Sequence, residues 1–203
     1  MKRCLLFVVL FLVPAGAFSA APHPPRRAAE FALPTPDGRT IRLSEQGEKV
    51  VVLEFLQTAC PRCQETAEML QKIYEQKAGR GLEIIGISHD RGGMPAIQAF
   101  VEEHKLTYPV VLGDLDIAVN YVGASPEHPS FEVPLFIFID RNGTVAEKRT
   151  LENLDDRDFY LQLPGSIEAV IERLLGPEKK PARRRASSIP LPTPAPRTRN
   201  PVF

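Results

Sequence analysis

The sequence predicts an α/β fold, a mixed β-sheet with helices on both faces. Three observations lead there. KVVVLEFLQ (49–57) and LEIIGIS (82–88) are continuous apolar runs, the pattern of central strands covered on both sides. Each is followed by a segment whose apolar residues recur at helical spacing. PLFIFIDRNGTVAEKR (134–149) then reads as an antiparallel hairpin about Asn142-Gly143, and an amphipathic helix closes the pattern.

In chain order, Thr40-Ile41-Arg42-Leu43 alternates as a short strand after an Asp37-Gly38 turn. The 49–57 strand runs into a helix starting near Cys60. Ala67, Leu70, Ile73, Tyr74 and Ala78 form its apolar face, and Gly79 and Gly81 end it. After the 82–88 strand, Pro95 suits the first turn of a helix reaching about Glu103, with Ile97, Phe100 and Val101 on one side. PVVLG (109–113) is a short strand. Asp114 is placed to cap a helix running to Tyr121. Asn142-Gly143 is expected to form a two-residue turn. Residues 150–164 are acidic, irregular and unassigned. Ser166 is expected to cap a last helix with the stripe Ile167, Val170, Ile171, Leu174 and Leu175.

The ends differ from this body. Lys2 and Arg3 precede the apolar CLLFVVLFLV (4–13), and Ala17-Phe18-Ser19 is a small-x-small site, so residues 1–19 read as a signal peptide cleaved after Ser19. Ala21 is a second candidate, and an uncleaved anchor is the other reading. The Pro-rich stretch 20–30 is expected to be a flexible lead-in, residues 31–175 the folded domain, and 176–203 a disordered Pro/Arg-rich tail. Lys+Arg 25 balances Asp+Glu 25 over the 203 residues, which argues against a nucleic-acid binder. The balance hides a basic tail and a body acidic by about eight charges. The tail is either a solvated extension or a tether to an anionic membrane or acidic partner.

Cleavage would remove Cys4 and leave Cys60 and Cys63 in an oxidising compartment. A CxxC pair can be half of a metal site, a staple or a redox couple. As a staple it would close too small a loop to constrain the unfolded chain much. Cys60 falls where a strand becomes a helix, and free N–H groups and the positive dipole end favour thiolate there. Arg62 adds a positive charge between the cysteines. The Cys60 thiol is therefore expected to ionise readily, with Cys63, three residues on, as the more buried resolving thiol. Glu54 interrupts a buried strand six residues before Cys60. If it points inward its pKa must rise; the alternative is an outward-facing acid.

The strand followed by CPRC (60–63), Val133-Pro134 opening the hairpin and IDRNG (139–143) at its turn make the chain resemble the thioredoxin superfamily. The resemblance covers roughly residues 30–175 and is nearest to exported thiol–disulfide oxidoreductases of the TlpA/ResA type, in the redoxin group. It implies a thioredoxin-like sheet and a cis-proline at Pro134 facing the cysteines, with Val133 offering its backbone to an extended substrate; an ordinary trans proline is the alternative. It implies that Glu54 moves a proton to or from Cys63. By the same resemblance the partners are cysteine-containing exported proteins, apocytochromes c among them, and a membrane thiol reductant or oxidant. No organic cofactor or metal is needed. Departures are Ala59, where many members carry Trp, and a long 123–132 loop expected beside the cysteines, in which His128 is either an acid/base or a solvated histidine.

Two rival chemistries remain. A peroxiredoxin would carry Pro and Thr where this chain has Leu53 and Gln57. A copper or zinc carrier would pair Cys60 and Cys63 with His89, His104 or His128, but no second CxxC exists to complete a zinc site.

Overall fold

The computed structural model of the protein describes residues 26–125, 127–128 and 130–177. The expected signal peptide and the tail beyond Pro177 lie outside the described residues. Strands are β1 (Arg26–Arg27), β2 (Ala32–Pro34), β3 (Thr40–Arg42), β4 (Val50–Leu56), β5 (Leu82–Ser88), β6 (Val110–Leu112), β7 (Leu135–Ile139) and β8 (Thr144–Arg149). Helices are α1 (Pro61–Lys77), α2 (Gly93–Glu103), α3 (Leu115–Ile117, continuing as a wider turn over Ala118–Val122), α4 (Arg157–Leu161) and α5 (Gly165–Leu175).

The main sheet has the order β1-β8-β7-β4-β5-β6, and β2 and β3 form a separate hairpin. β4, β5 and β6 run parallel, while β7 is antiparallel to both β4 and β8. β4, β5 and β7 are buried along their whole length, which is why their sequences are unbroken apolar runs rather than alternating ones. Successive residues serve opposite cores. Val50, Val52 and Leu56 meet α1, α2 and α5, whereas Val51, Leu53 and Phe55 meet Ile117, Tyr121 and Leu33. Glu54 shares the parity of Val52 and Leu56, so it points under α1.

The structure alters three readings of the sequence. Arg26–Arg27, inside the stretch expected to be a flexible lead-in, pairs with Val145 and Thr144 and makes the sheet edge. The backbone continues the ladder through Ala28, whose N–H donates to the Gly143 carbonyl at 2.9 Å. The β7–β8 turn is longer than two residues. Gly143 N–H donates to the Asp140 carbonyl, Asp140 Oδ1 accepts from the Asn142 and Thr144 amides, and only Gly143 takes a positive φ, of 75°. This is a turn closed by a left-handed glycine, in which the Asp140 carboxylate satisfies the loop amides. Ser166 lies inside the first turn of α5 and donates to the Phe159 carbonyl at 2.6 Å, so it joins α5 to α4 instead of capping.

The unassigned stretch 150–164 is ordered by one acid. Asp156, 2% exposed, pairs with Arg149 at 2.8 Å and accepts the Thr150 amide at 3.0 Å. Phe159 then enters the core against Phe136 and Phe138. At the other end of the molecule Arg141 donates to the carbonyls of Glu48 and Arg80, both at 2.9 Å, and reaches that of Leu175. The end of α5 is thus tied beside the start of β4, at the opposite end of that strand from Cys60.

Candidate active site

The site is built at the carboxyl end of β4. Residues 57–59 lead from Leu56 to Cys60 and are held on several sides. The Thr58 amide donates to Asp90 at 2.8 Å, the Gln64 side chain donates to the Thr58 carbonyl at 2.9 Å, and the Cys60 amide donates to the Gln57 carbonyl at 3.1 Å. Cys60 is the N-cap of α1, and Pro61 occupies the first helical position, where no backbone donor is needed. The Cys60 sulfur accepts the Cys63 N–H at 3.3 Å, taking the place of a capping oxygen. Both cysteines are free thiols here.

Their environments differ. Cys60 is half-buried, while Cys63 is completely buried. Burial pushes the Cys63 thiol up, and its hydrogen bond to the Cys60 sulfur pushes the same way. The Gln57 amide opposes this, and charge on Cys60 or Glu54 adds to the rise.

Glu54 is 0% exposed. Thr66 Oγ1 lies 2.6 Å from Glu54 Oε1 and 3.0 Å from the Cys63 carbonyl. The Tyr108 hydroxyl lies 3.4 Å from Glu54 Oε2. Burial raises the carboxyl from its ordinary 4.5 to about 8, against the lowering effect of these two hydroxyls. The outward-facing alternative for Glu54 is therefore excluded by position.

The Val133–Pro134 peptide bond is cis. Pro134 is buried and Val133 half-buried, packed against both cores where β7 begins. The Tyr160 hydroxyl is 2.9 Å from the carbonyls of Pro134 and Arg149, so the 150–164 segment is seated on the proline.

Two grooves flank the cysteines. One, of about 600 Å³, is lined by Arg62, Glu65, Thr66, Met69, Tyr160 and Leu163, among others. The second, of about 480 Å³, includes Gln57, His89, Asp114, Phe131 and Val133. Arg62 is exposed on the wall of the first. His89 stacks on Phe55 at 5.8 Å and meets the edge of Phe131 at 5.3 Å, and burial lowers its pKa. His104 contacts Glu68, and His128 is exposed in a turn with Ser125. Among the described residues no three His, Cys, Asp or Glu side chains gather as a metal site requires.

Cys60, Cys63 and Glu54 are thus brought together by β4 and α1, and Val133 and Pro134 lead directly into β7 beside β4. Sequence reasoning missed Thr66, Tyr108 and Tyr160. Tyr108 is 54 positions from Glu54. Tyr160 belongs to a segment without a readable period. Thr66 carried a usable signal: it falls on the same helical face as Cys63 and Leu70, as a polar residue among buried ones.

Fold and site define a thioredoxin-like redoxin with a dithiol centre. Residues 24–148 match the AhpC/TSA family, and the chain belongs to that family. It is 29% identical over 124 residues to the thiol-disulfide oxidoreductase ResA of Halalkalibacterium halodurans, spanning 61% of this chain and 66% of that relative. It is 28% identical over 138 residues to the ResA of Bacillus cereus, spanning 68% of this chain and 76% of the relative. A thiol:disulfide interchange protein of the thioredoxin family from Chlorobium tepidum superposes with a TM-score of 0.61 at 20% identity, covering 77% of this chain and all of the other, which shows the fold. By family, fold and likeness the chain falls among the ResA/TlpA-like members of the thioredoxin superfamily, in the thiol–disulfide oxidoreductase class.

Proposed function

We propose that the protein exchanges disulfides with exported cysteine-containing proteins through Cys60 and Cys63. The observation that carries this reading is the sulfur pair itself: a half-buried Cys60 whose sulfur receives the Cys63 amide at 3.3 Å, over a second thiol that is completely buried. An amide donor at the mouth of a helix favours a sulfur that carries negative charge.

In the reductive direction the Cys60 thiolate attacks one sulfur of a client disulfide. A Cys60–client disulfide forms, the client S–S bond breaks, and the client's other sulfur leaves as a thiolate that takes a proton. Cys63 then gives its proton to the Glu54 carboxylate and attacks the Cys60 sulfur. The Cys60–Cys63 disulfide forms, the second client sulfur leaves, and the client has gained two electrons. With its carboxyl at about 8, Glu54 is available in both forms near neutral pH, as an acid/base partner must be. Run backward, protonated Glu54 returns a proton to Cys63 and the pair oxidises a dithiol. Val133 and Pro134 supply the backbone along which an extended client lies, and Arg62 borders it.

The apolar segment 4–13 and the small residues after it support export, with 1–19 as the leader, 31–175 as the working domain and 176–203 as a basic tail that can touch anionic lipid or an acidic partner. Clients include apocytochromes c awaiting haem, and a membrane thiol–disulfide partner restores the working redox state. Peroxide chemistry is disfavoured by Leu53 and Gln57 at the two patterned positions.

The test is trapping. Cys63→Ser protein mixed with oxidised insulin should accumulate a Cys60-linked mixed disulfide, Cys60→Ser should form none, and the wild type should turn over with dithiothreitol as the reductant. Failure of Cys63→Ser to trap, together with no acceleration by the wild type, rejects the reading.

A further inference from the structure

We propose that Thr66 is the positioning residue that couples Glu54 to the solvent of the adjoining groove, its hydroxyl turning between Glu54 and the Cys63 carbonyl as the proton moves. This rests on the proposed exchange at Cys60 and Cys63.

The argument starts from a donor count. Thr66 has one hydroxyl proton and two acceptors within reach, Glu54 Oε1 at 2.6 Å and the Cys63 carbonyl at 3.0 Å. Both contacts hold together only if Glu54 is protonated. Its O–H then donates to Thr66 Oγ1, and Thr66 donates to Cys63 O. Once Glu54 ionises, it can only accept, so the Thr66 hydroxyl turns to it and releases the Cys63 carbonyl. The rotor therefore registers the charge on Glu54 and passes it to the backbone of the resolving cysteine.

Thr66 also stands between the buried acid and a groove. It is 3% exposed yet lines the groove of about 600 Å³. Around Glu54 the other titratable groups are Cys63 on the same helix, Tyr108 from the segment before β6, and Tyr160 from α4. Tyr108 also borders a smaller cavity of about 310 Å³, but its 3.4 Å contact is at the limit of a hydrogen bond, whereas that of Thr66 is short. For a proton to leave Glu54, the Thr66 hydroxyl first turns its own proton from the Cys63 carbonyl to a groove water; that proton passes to the water as the Glu54 proton passes to Thr66 Oγ1, and the new O–H points at the carboxylate. No bond other than O–H is made or broken, and no oxidant is needed.

Removing a donor from a carboxylate disfavours its charged form. Thr66→Val keeps the shape and removes the hydroxyl, so the Glu54 titration, followed by its carboxyl carbon signal in reduced full-length protein, should move up by roughly one pH unit. The pH dependence of resolution of the Cys60–insulin mixed disulfide should move with it. Thr66→Ser should restore both, and Tyr108→Phe should leave both closer to wild type than Thr66→Val does. An unmoved Glu54 titration in Thr66→Val, a Thr66→Ser that behaves like Thr66→Val, or a larger shift in Tyr108→Phe overturns the proposal. Because the carbon signal is read without any client, it stands apart from the trapping experiment. A protein that fails to trap insulin while Thr66→Val shifts Glu54 would sink the exchange reading and leave the coupling of the two side chains in place.

Discussion

The Cys63 amide lies 3.3 Å from the Cys60 sulfur, so the second cysteine's backbone serves the first while its own thiol is shut away behind it. The two thiols are thereby made unequal by position alone. One stands at the helix mouth and the other is on the first inward-facing turn.

That inequality predicts an order of modification. With the reduced protein under native conditions, iodoacetamide should label Cys60 and leave Cys63 unmodified, by at least about tenfold in rate, because burial both excludes the reagent and raises the Cys63 thiol. Peptide mapping after limited labelling measures it. Equal labelling of both residues would contradict the assigned roles.

Glu54 predicts how stability follows pH. Its carboxyl is held at about 8 in the fold against an ordinary 4.5. Between those values the folded protein keeps a proton that the unfolded chain has lost, so stability falls as pH rises through this window and levels off above it. The full shift corresponds to a loss on the order of 5 kcal/mol. Cys63 works in the same direction at more alkaline pH. Glu54→Gln should flatten the slope between pH 5 and 8, read by denaturant unfolding of the reduced protein. A wild-type stability that rises across that interval would refute the buried, protonated acid.

Tyr160 predicts a link between the 150–164 segment and the proline. Its hydroxyl can donate to only one of the two carbonyls it touches, those of Pro134 and Arg149. Tyr160→Phe removes that donor and should cost about 1–2 kcal/mol, because a carbonyl is left without its partner. Insulin trapping by Cys63→Ser should weaken when Tyr160→Phe is added, since Pro134 is then less firmly seated. Unchanged stability and unchanged trapping would show that the contact is incidental.

Much of the site could be read from local pattern. The helix start at Cys60 follows from a strand, a short loop and Pro61. The central strands follow from apolar runs too continuous to face water. Even the Asp114 cap was legible, and its carboxylate accepts the Ile117 amide at 2.9 Å. The turn at Asn142-Gly143 was misread because two turn types share that dipeptide, and the choice fell to Asp140, whose carboxylate satisfies the loop amides.

The sequence by itself determined the cysteine pair, its placement at a helix N-terminus, the acid six residues before it and the succession of the central strands with the helices that follow them, because each of these is written in neighbours along the chain or in a period of two or 3.6 residues. Only the tertiary structure decided which hydroxyls meet Glu54, that Tyr160 secures Pro134, and that Arg26–Arg27 closes the sheet edge. Those contacts join residues that no local period relates, and they exist only once β4, α1 and the 150–164 segment have packed and water has been driven from between them.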